Sequence, residues 1–388
     1  MSFYLRGCDP LDVDLQVFSG THHELGVQQG RASRNQLEQA ARALPVVRPV
    51  RLAKPRLLPT RLFLWLAKRR ATKLLHDDIT TYYPRQAERS EGIAEGGELD
   101  MPTLLLYQFM ELLVSPGESN YSVPGCTSIA LEPGRTTIGE TIIAKNFDYP
   151  NDFSPYHLTC ISDPQGRYRT LGCTKAVLPG MLDGMNEHGL TATYNYGYAT
   201  DTPRHYAPIS VMIQEMLETC RNVDQAVDFM THAKRAGGAL LTIGDPDGSI
   251  VSLEISSNHA VTRSPERGQI VNTNHYRTEE MRRWEIPTDA IFSGKTPKEY
   301  HGSRVHESSE RRLGRIQELL KDPGKLDEDD ITTILRDHGE DNQPSNLTVC
   351  QHGDFLGTTR SVIFYPRRRR IKVLYGNPCQ NEYCEFGL

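Results

Sequence analysis

The 388-residue chain has no long hydrophobic run. Its apolar stretches, such as residues 62–67 and 104–107, fall far short of the roughly 20 residues a membrane-spanning helix needs, so no stable membrane insertion is expected. The start, Met1-Ser2-Phe3-Tyr4-Leu5-Arg6-Gly7-Cys8, lacks the basic region and apolar stretch of a secretory signal. A cytoplasmic protein is expected, with its eight cysteines reduced. There is no Cys-x-x-Cys pair, and Cys379 and Cys384 lie five apart without nearby histidines, so no metal site is expected. Neither G-x-G-x-x-G nor a P-loop occurs, which leaves nucleotide-binding folds and cofactors without support. A net charge of −5 argues against general nucleic-acid binding, and the run Arg367-Arg368-Arg369-Arg370 reads as a polar hairpin tip.

What is present is a 38% hydrophobic content, enough for a substantial core. The first third reads as helical over residues 21–43, 60–75, 84–97 and 101–113, with a Pro-rich basic connector at 48–59. The 60–75 helix mixes Leu62, Leu64 and Trp65 with basic residues, and its basic face is expected to be solvated. After residue 115 the character changes to short β-like runs punctuated by Gly and Asp, at 128–131, 141–144, 176–182, 190–196, 239–243, 250–254, 259–262 and 269–272. Helices interrupt at 209–219, 223–233 and 307–320, and a hairpin of 361–365 and 371–375 closes the chain. This order predicts an α+β protein of two antiparallel sheets under helical cover.

Gly125-Cys126-Thr127-Ser128 carries the most chemistry. If the Gly125–Cys126 bond breaks, Cys126 gains a free α-amine, whose pKa of roughly 7.7–8.0 suits it to act as base for the adjacent thiol. Gly125 tolerates strained backbone at a bond to be cut. On these residues alone, a buried cysteine opening a hairpin strand is the simpler account. Polar candidates recur at the ends of apolar runs. Asp148 ends the paired strand and can return beside Cys126. Lys145 can lower a thiol pKa. Asn195 and Asn274 are neutral donors suited to an oxyanion, although each also fits a turn. His275, His338 and His352 keep a Cys–His mechanism open.

These residues carry a resemblance. Gly20-Thr21-His22-His23-Glu24-Leu25-Gly26 with Gly30, Tyr83-Pro84, residues 91–96, Gly125-Cys126-Thr127, Asn146-Phe147-Asp148, residues 184–190, Thr273-Asn274-His275 and Val349-Cys350 follow in an order resembling the acyl-coenzyme A:6-aminopenicillanate acyltransferase family, among the N-terminal nucleophile hydrolases. The resemblance implies a four-layer αββα sandwich with a helical N-terminal pro-segment. It implies self-cleavage before Cys126 into residues 1–125 and a core of 126–388, with the two fragments remaining associated. By the same resemblance Cys126 is the nucleophile, Asp148 holds the amine, and Asn195 and Asn274 serve the oxyanion and the amine. Lys145 stands where bile-salt hydrolases carry an Arg, and Arg360 loosely matches another site Arg. The expected activity is hydrolysis of a linear N-acyl small molecule through an acyl-thioester on Cys126. The alternatives are transfer of an acyl group, from a thioester donor or an amide, to a small amine, and a catalytically silent ligand-binding relative.

Overall fold

The computed structural model describes residues 4–6, 13–73, 77–113, 125–201, 207–292, 294 and 296–388. Alternating apolar side chains build its centre. In the strands Gly125–Leu131 and Ile142–Pro150, Ala130 and Ile143 point to one face while Ile129, Leu131, Ile142 and Ala144 point to the other, as the two-residue strand period requires. These strands sit in a seven-stranded antiparallel sheet ordered Tyr4–Arg6, Cys384–Gly387, Arg370–Tyr375, Leu356–Tyr365, Ile142–Pro150, Gly125–Leu131 and Gln269–Asn272. A second sheet of eight strands runs Ala260–Arg263, Ile250–Ile255, Gly238–Gly244, Thr191–Gly197, Asp183–Asn186, Thr170–Lys175, His157–Pro164 and Leu15–Gly20.

The inner faces meet through Ala130, Ile143, Ile161, Leu171, Met185, Ile270, Val362 and Phe364. Outside the first sheet lie the helices Glu307–Leu319 and Glu328–Leu335, which bury Leu313, Ile316, Ile331 and Ile334 against Ile129, Leu131 and Ile363. Outside the second lie Ile209–Thr219 and Val223–His232, with Val211, Met216 and Ala226 buried. The chain is a four-layer αββα sandwich.

The N-terminal segment is more than helical. Its strand Leu15–Gly20 pairs parallel with His157–Pro164, so the second sheet is antiparallel except at that edge. The motif at Gly20 then explains itself physically. Thr21 caps the helix His22–Ala32 in a capping box with Glu24. Gly26 and Gly30 face Gly92 and Gly96 of the helix Pro84–Gly96, and a Cβ at Gly26 would lie 2.1 Å from Arg89 O. Those glycines permit close helix packing.

Several expectations change. The 21–43 helix is two, His22–Ala32 and Arg34–Ala43, and the connector at 48–59 contains the helix Arg48–Ala53, opened by Pro49 near its first turn. Residues 176–182 are irregular rather than strand, because Pro179-Gly180 breaks the run and a Cβ at Gly180 would lie 2.1 Å from Ser210 O. The helix Thr60–Ala71 leaves Leu62, Trp65 and Leu66 exposed. Cys384 is disulfide-bonded, so the eight cysteines are not all reduced. Among the described residues no helix is long and apolar enough to cross a membrane.

Candidate active site

The pairing of Gly125–Leu131 with Ile142–Pro150 sets Gly125 opposite Asp148, Cys126 opposite Phe147, and Ser128 opposite Lys145. Cys126 and Asp148 are both buried. Gly125 is not among the glycines with positive φ, so backbone strain is not what selects it. Space is: a Cβ there would lie 2.6 Å from Gln351 Nε2 and 3.1 Å from Asp148 Oδ2.

The backbone nitrogen of Cys126 donates to Asn274 Oδ1 at 2.9 Å. Asn274 is itself locked, with Nδ2 donating to Tyr196 O at 3.0 Å and its backbone N–H donating to Ser309 Oγ at 2.7 Å. Arg312, buried on the inner face of the helix Glu307–Leu319, reaches in from the outer layer. It donates to Cys126 O at 2.5 Å, to Thr127 Oγ1 at 2.8 Å and to Asn274 Oδ1 at 2.8 Å. Asp148 Oδ1 accepts from Thr358 Oγ1 at 2.6 Å, while Oδ2 is buried with no hydrogen-bond partner among the described residues.

Burial pushes the Cys126 thiol up to about 11; Lys145 opposes the rise, and Asp148 and Asp183 add to it. Burial also pushes the Asp148 carboxyl up to about 6, against the lowering pull of Arg312, the Thr358 hydroxyl and Lys145. In the continuous chain, therefore, the thiol is neutral and a half-satisfied carboxylate titrates beside it.

Lys145 and Arg360 are brought to the same buried region but turn to Asp183. Lys145 Nζ donates to Asp183 Oδ1 at 2.7 Å and to Tyr194 O, and Arg360 donates to Asp183 Oδ2. Both cations also lie against the Phe147 ring, at 4.9 and 4.7 Å from its centroid. Asn195 Nδ2 is taken by Asn272 O and Thr273 O, each at 3.1 Å, and its Oδ1 has no partner among the described residues. His275 contacts Ser309 Oγ at 2.7 Å, and burial pushes it down to about 4. His338 and His352 sit instead with Cys350 and Cys379. Cys379 Sγ lies 3.3 Å from His352 Nε2, which corrects the expectation that it lacks histidine neighbours.

Two clefts adjoin this strand pair, one at Gly125 and one at Tyr149. One, with about 230 Å³ of free space, is lined by Gly125, Asn274, Ser308, Ser309, Arg312 and Asn346 among others. The other, with only about 40 Å³ of free space, is aromatic, with Tyr107, Tyr149, Phe153, Tyr156 and Tyr194 around Lys175. Tyr149 stacks on Phe147, the cross-strand partner of Cys126, at 5.3 Å.

Sequence reasoning missed Arg312, Thr358, Asp183 and Gln351. Arg312 had a signal. With Ser309, Leu313 and Ile316 it lies on the one face of the 307–319 helix that is buried, and a charged residue on that face needs a partner.

No curated protein matches the chain. Similar solved structures include an N-acylethanolamine-hydrolyzing acid amidase ortholog from Caenorhabditis elegans, at 16% identity and TM-score 0.42, covering 62% of this chain and 93% of that one. A mutant conjugated bile acid hydrolase from Clostridium perfringens is similar at 14% identity and TM-score 0.39, covering 68% and 97%. Penicillin V acylase from Agrobacterium tumefaciens is similar at 12% identity and TM-score 0.38, covering 64% and 82%. The sequence profile of acyl-coenzyme A:6-aminopenicillanic acid acyl-transferase matches residues 135–380, beginning past Cys126 and taking in Asp148, Asn274, Arg312 and Arg360. That stretch is well over half of the chain, which belongs to the acyl-coenzyme A:6-aminopenicillanic acid acyl-transferase family.

Proposed function

We propose that the protein is a self-processing amide hydrolase acting on a linear N-acyl small molecule, with Cys126 as an amino-terminal nucleophile. The observation that carries this reading is the grip on the Cys126 backbone nitrogen. Asn274 Oδ1 accepts from it at 2.9 Å, and Arg312 fixes both Asn274 Oδ1 and the Cys126 carbonyl. A merely structural cysteine needs no such clamp on its nitrogen. A cysteine whose nitrogen becomes a base does.

In processing, Cys126 Sγ attacks the Gly125 carbonyl carbon and its proton passes to Asp148. The C–N bond then breaks, the proton goes to the departing nitrogen, and water hydrolyses the thioester to a Gly125 carboxylate and free Cys126. In turnover, Sγ attacks the substrate's acyl carbon with the α-amine taking the thiol proton. That proton leaves with the amine product, and water attacks the acyl-thioester. Asp148 holds the α-ammonium through Oδ2, which has no partner among the described residues. Lys145 and Arg360 position the site by neutralising Asp183, and Asn195 serves an oxyanion only once its amide turns from the two carbonyls it now bonds.

The fragments 1–125 and 126–388 stay associated after cleavage. Supporting this, His22 meets Glu218 at 2.8 Å, Gln29 donates to Ala176 O and Leu178 O, and Gln108 donates to Val177 O, all in buried positions.

A second reading is acyl transfer, in which the cleft beside Gly125 and Asn274, with about 230 Å³ of free space, receives an acceptor amine. Intact-mass measurement of purified protein tests the main proposal. Two fragments meeting at Gly125/Cys126 are expected, and Cys126→Ala is expected to stay a single chain. Normal cleavage of that variant would sink the mechanism. Incubation with an activated acyl thioester, with and without a panel of amines, then separates hydrolase from transferase by the partition of the acyl group.

A further inference from the structure

Two loops meet beside the first sheet. One joins the helix Glu328–Leu335 to the strand Leu356–Tyr365, and the other joins Arg370–Tyr375 to Cys384–Gly387. They bring together His338, Cys350, His352 and Cys379, whose donor atoms all lie within 4.8 Å of one another. His338 Nε2 is 3.3 Å from His352 Nε2, and Cys350 Sγ is 3.6 Å from Cys379 Sγ. The mixed edges from His352 Nε2 are 3.4 Å to Cys350 Sγ and 3.3 Å to Cys379 Sγ.

These four separations match edges of a tetrahedron, and the two remaining pairs lie within 4.8 Å. With Zn–S near 2.3 Å and Zn–N near 2.0–2.1 Å, tetrahedral geometry demands about 3.8 Å between sulfurs, about 3.4 Å between nitrogens and about 3.5 Å between nitrogen and sulfur. At this separation the two cysteines are free thiols, since disulfide sulfurs stand about 2.05 Å apart. We propose that His338, Cys350, His352 and Cys379 form a structural zinc site. Two thiolates and two imidazoles suit zinc, and four protein ligands close the sphere, leaving no position for substrate.

The surroundings are built for ligation. His338 Nδ1 faces Asn342 Oδ1 at 3.4 Å, and Asn377 Nδ2 approaches Cys350 Sγ at 3.8 Å, the outer partners that orient metal ligands. Backbone bonds fix the loops: Cys350 N–H donates to Asp337 O at 3.0 Å and His352 N–H to Ser345 O at 2.9 Å.

The site also sits next to the candidate chemistry. Gln351, between two ligands, exchanges hydrogen bonds with Thr358, and Thr358 Oγ1 donates to Asp148. Zinc would thus stiffen the segment that backs Asp148 and Gly125.

Metal analysis of the full chain, purified without chelator from zinc-supplemented medium, is expected to show about one zinc per chain. The uncleaved Cys126→Ala variant should hold the same amount, which separates this site from the proposed catalysis. Cys379→Ser and His338→Ala should lose most of the metal. Because either variant could misfold, cobalt(II) exchange into the unsubstituted chain supplies a second reading. Tetrahedral d–d bands with thiolate-to-cobalt charge transfer are expected. A chain that carries no zinc and shows no thiolate–cobalt band, or peptide mapping that finds Cys350 and Cys379 joined as a disulfide, would overturn the proposal.

Discussion

Asp148 and Asp183 are both fully buried close to Cys126, yet their surroundings are opposite. Asp183 has Lys145 on one oxygen and Arg360 on the other, and Oδ1 also accepts the Tyr194 N–H at 3.1 Å. Asp148 has one hydroxyl on Oδ1 and, among the described residues, nothing on Oδ2. A buried carboxylate with both oxygens paired to cations holds structure together. One left half-satisfied retains capacity for a proton or an ammonium. The comparison separates a carboxylate that anchors two cations from one poised for chemistry.

The largest effect should come from the anchored partner. Asp183→Ala leaves Lys145 and Arg360 as two buried cations without a counter-charge, and breaking such a pair costs about 3–5 kcal/mol. A large fall in Tm or loss of soluble protein is expected. Near-unchanged Tm in Asp183→Ala would erase the distinction drawn here.

The poised partner should act on rate instead. Asp148→Asn is expected to keep the fold while losing at least about 10²-fold in turnover, the scale of a lost acid–base group. The two readouts also carry a pH signature. The folded pKa of Asp148 in the continuous chain is about 6, raised from 3.8 by burial, so over that window the folded state binds more protons than the unfolded one. Stability then falls as pH rises from about 4 to about 6, and the penalty is fully present above 6. In the uncleaved Cys126→Ala background, Asp148→Asn should therefore raise Tm at neutral pH and lose that advantage below pH 4. Equal Tm differences across the range would place Asp148 outside the titrating site.

The sequence made part of this visible, and physics explains the division. Alternation at Ile129-Ala130-Leu131 and Ile142-Ile143-Ala144 needs only local pattern, and it set Asp148 at the end of the strand that returns to Gly125. The strand Leu15–Gly20 was hidden because it buries few side chains and pairs with a strand some 140 residues on. His157–Pro164 and Thr170–Lys175 were hidden because His, Thr, Ser and Lys on them are buried by tertiary contacts that local composition does not register. Arg312 acts on Cys126 from 186 residues away, and in sequence it is one charge among many on a polar helix. Spacing arguments failed outright for Cys379, since loops rather than a Cys-x-x-Cys turn bring it to His352. Asp183 and Lys145, 38 residues apart on facing sheets, show the same limit.

The finest test of the contrast lies in the one hydrogen bond Asp148 keeps. Thr358 sits beside a register shift in the strand pair, where the extra residue Thr359 lets its hydroxyl turn to Asp148 Oδ1 at 2.6 Å. That bond favours the ionised carboxylate and lowers the pKa against burial. Thr358→Val keeps the shape and removes the donor, at a cost of about 0.5–1.5 kcal/mol in stability. It also removes the hydroxyl that accepts the Gln351 N–H, so a small structural loss accompanies it. Without the hydroxyl, Asp148 holds its proton to higher pH. The acid limb of the processing rate should therefore move upward, with the rate at high pH nearly unchanged. A uniform drop at every pH, with no movement of the limb, would mean that Thr358 supports the segment around Gln351 and that the Asp148 carboxyl is tuned by burial, Arg312 and Lys145 without it.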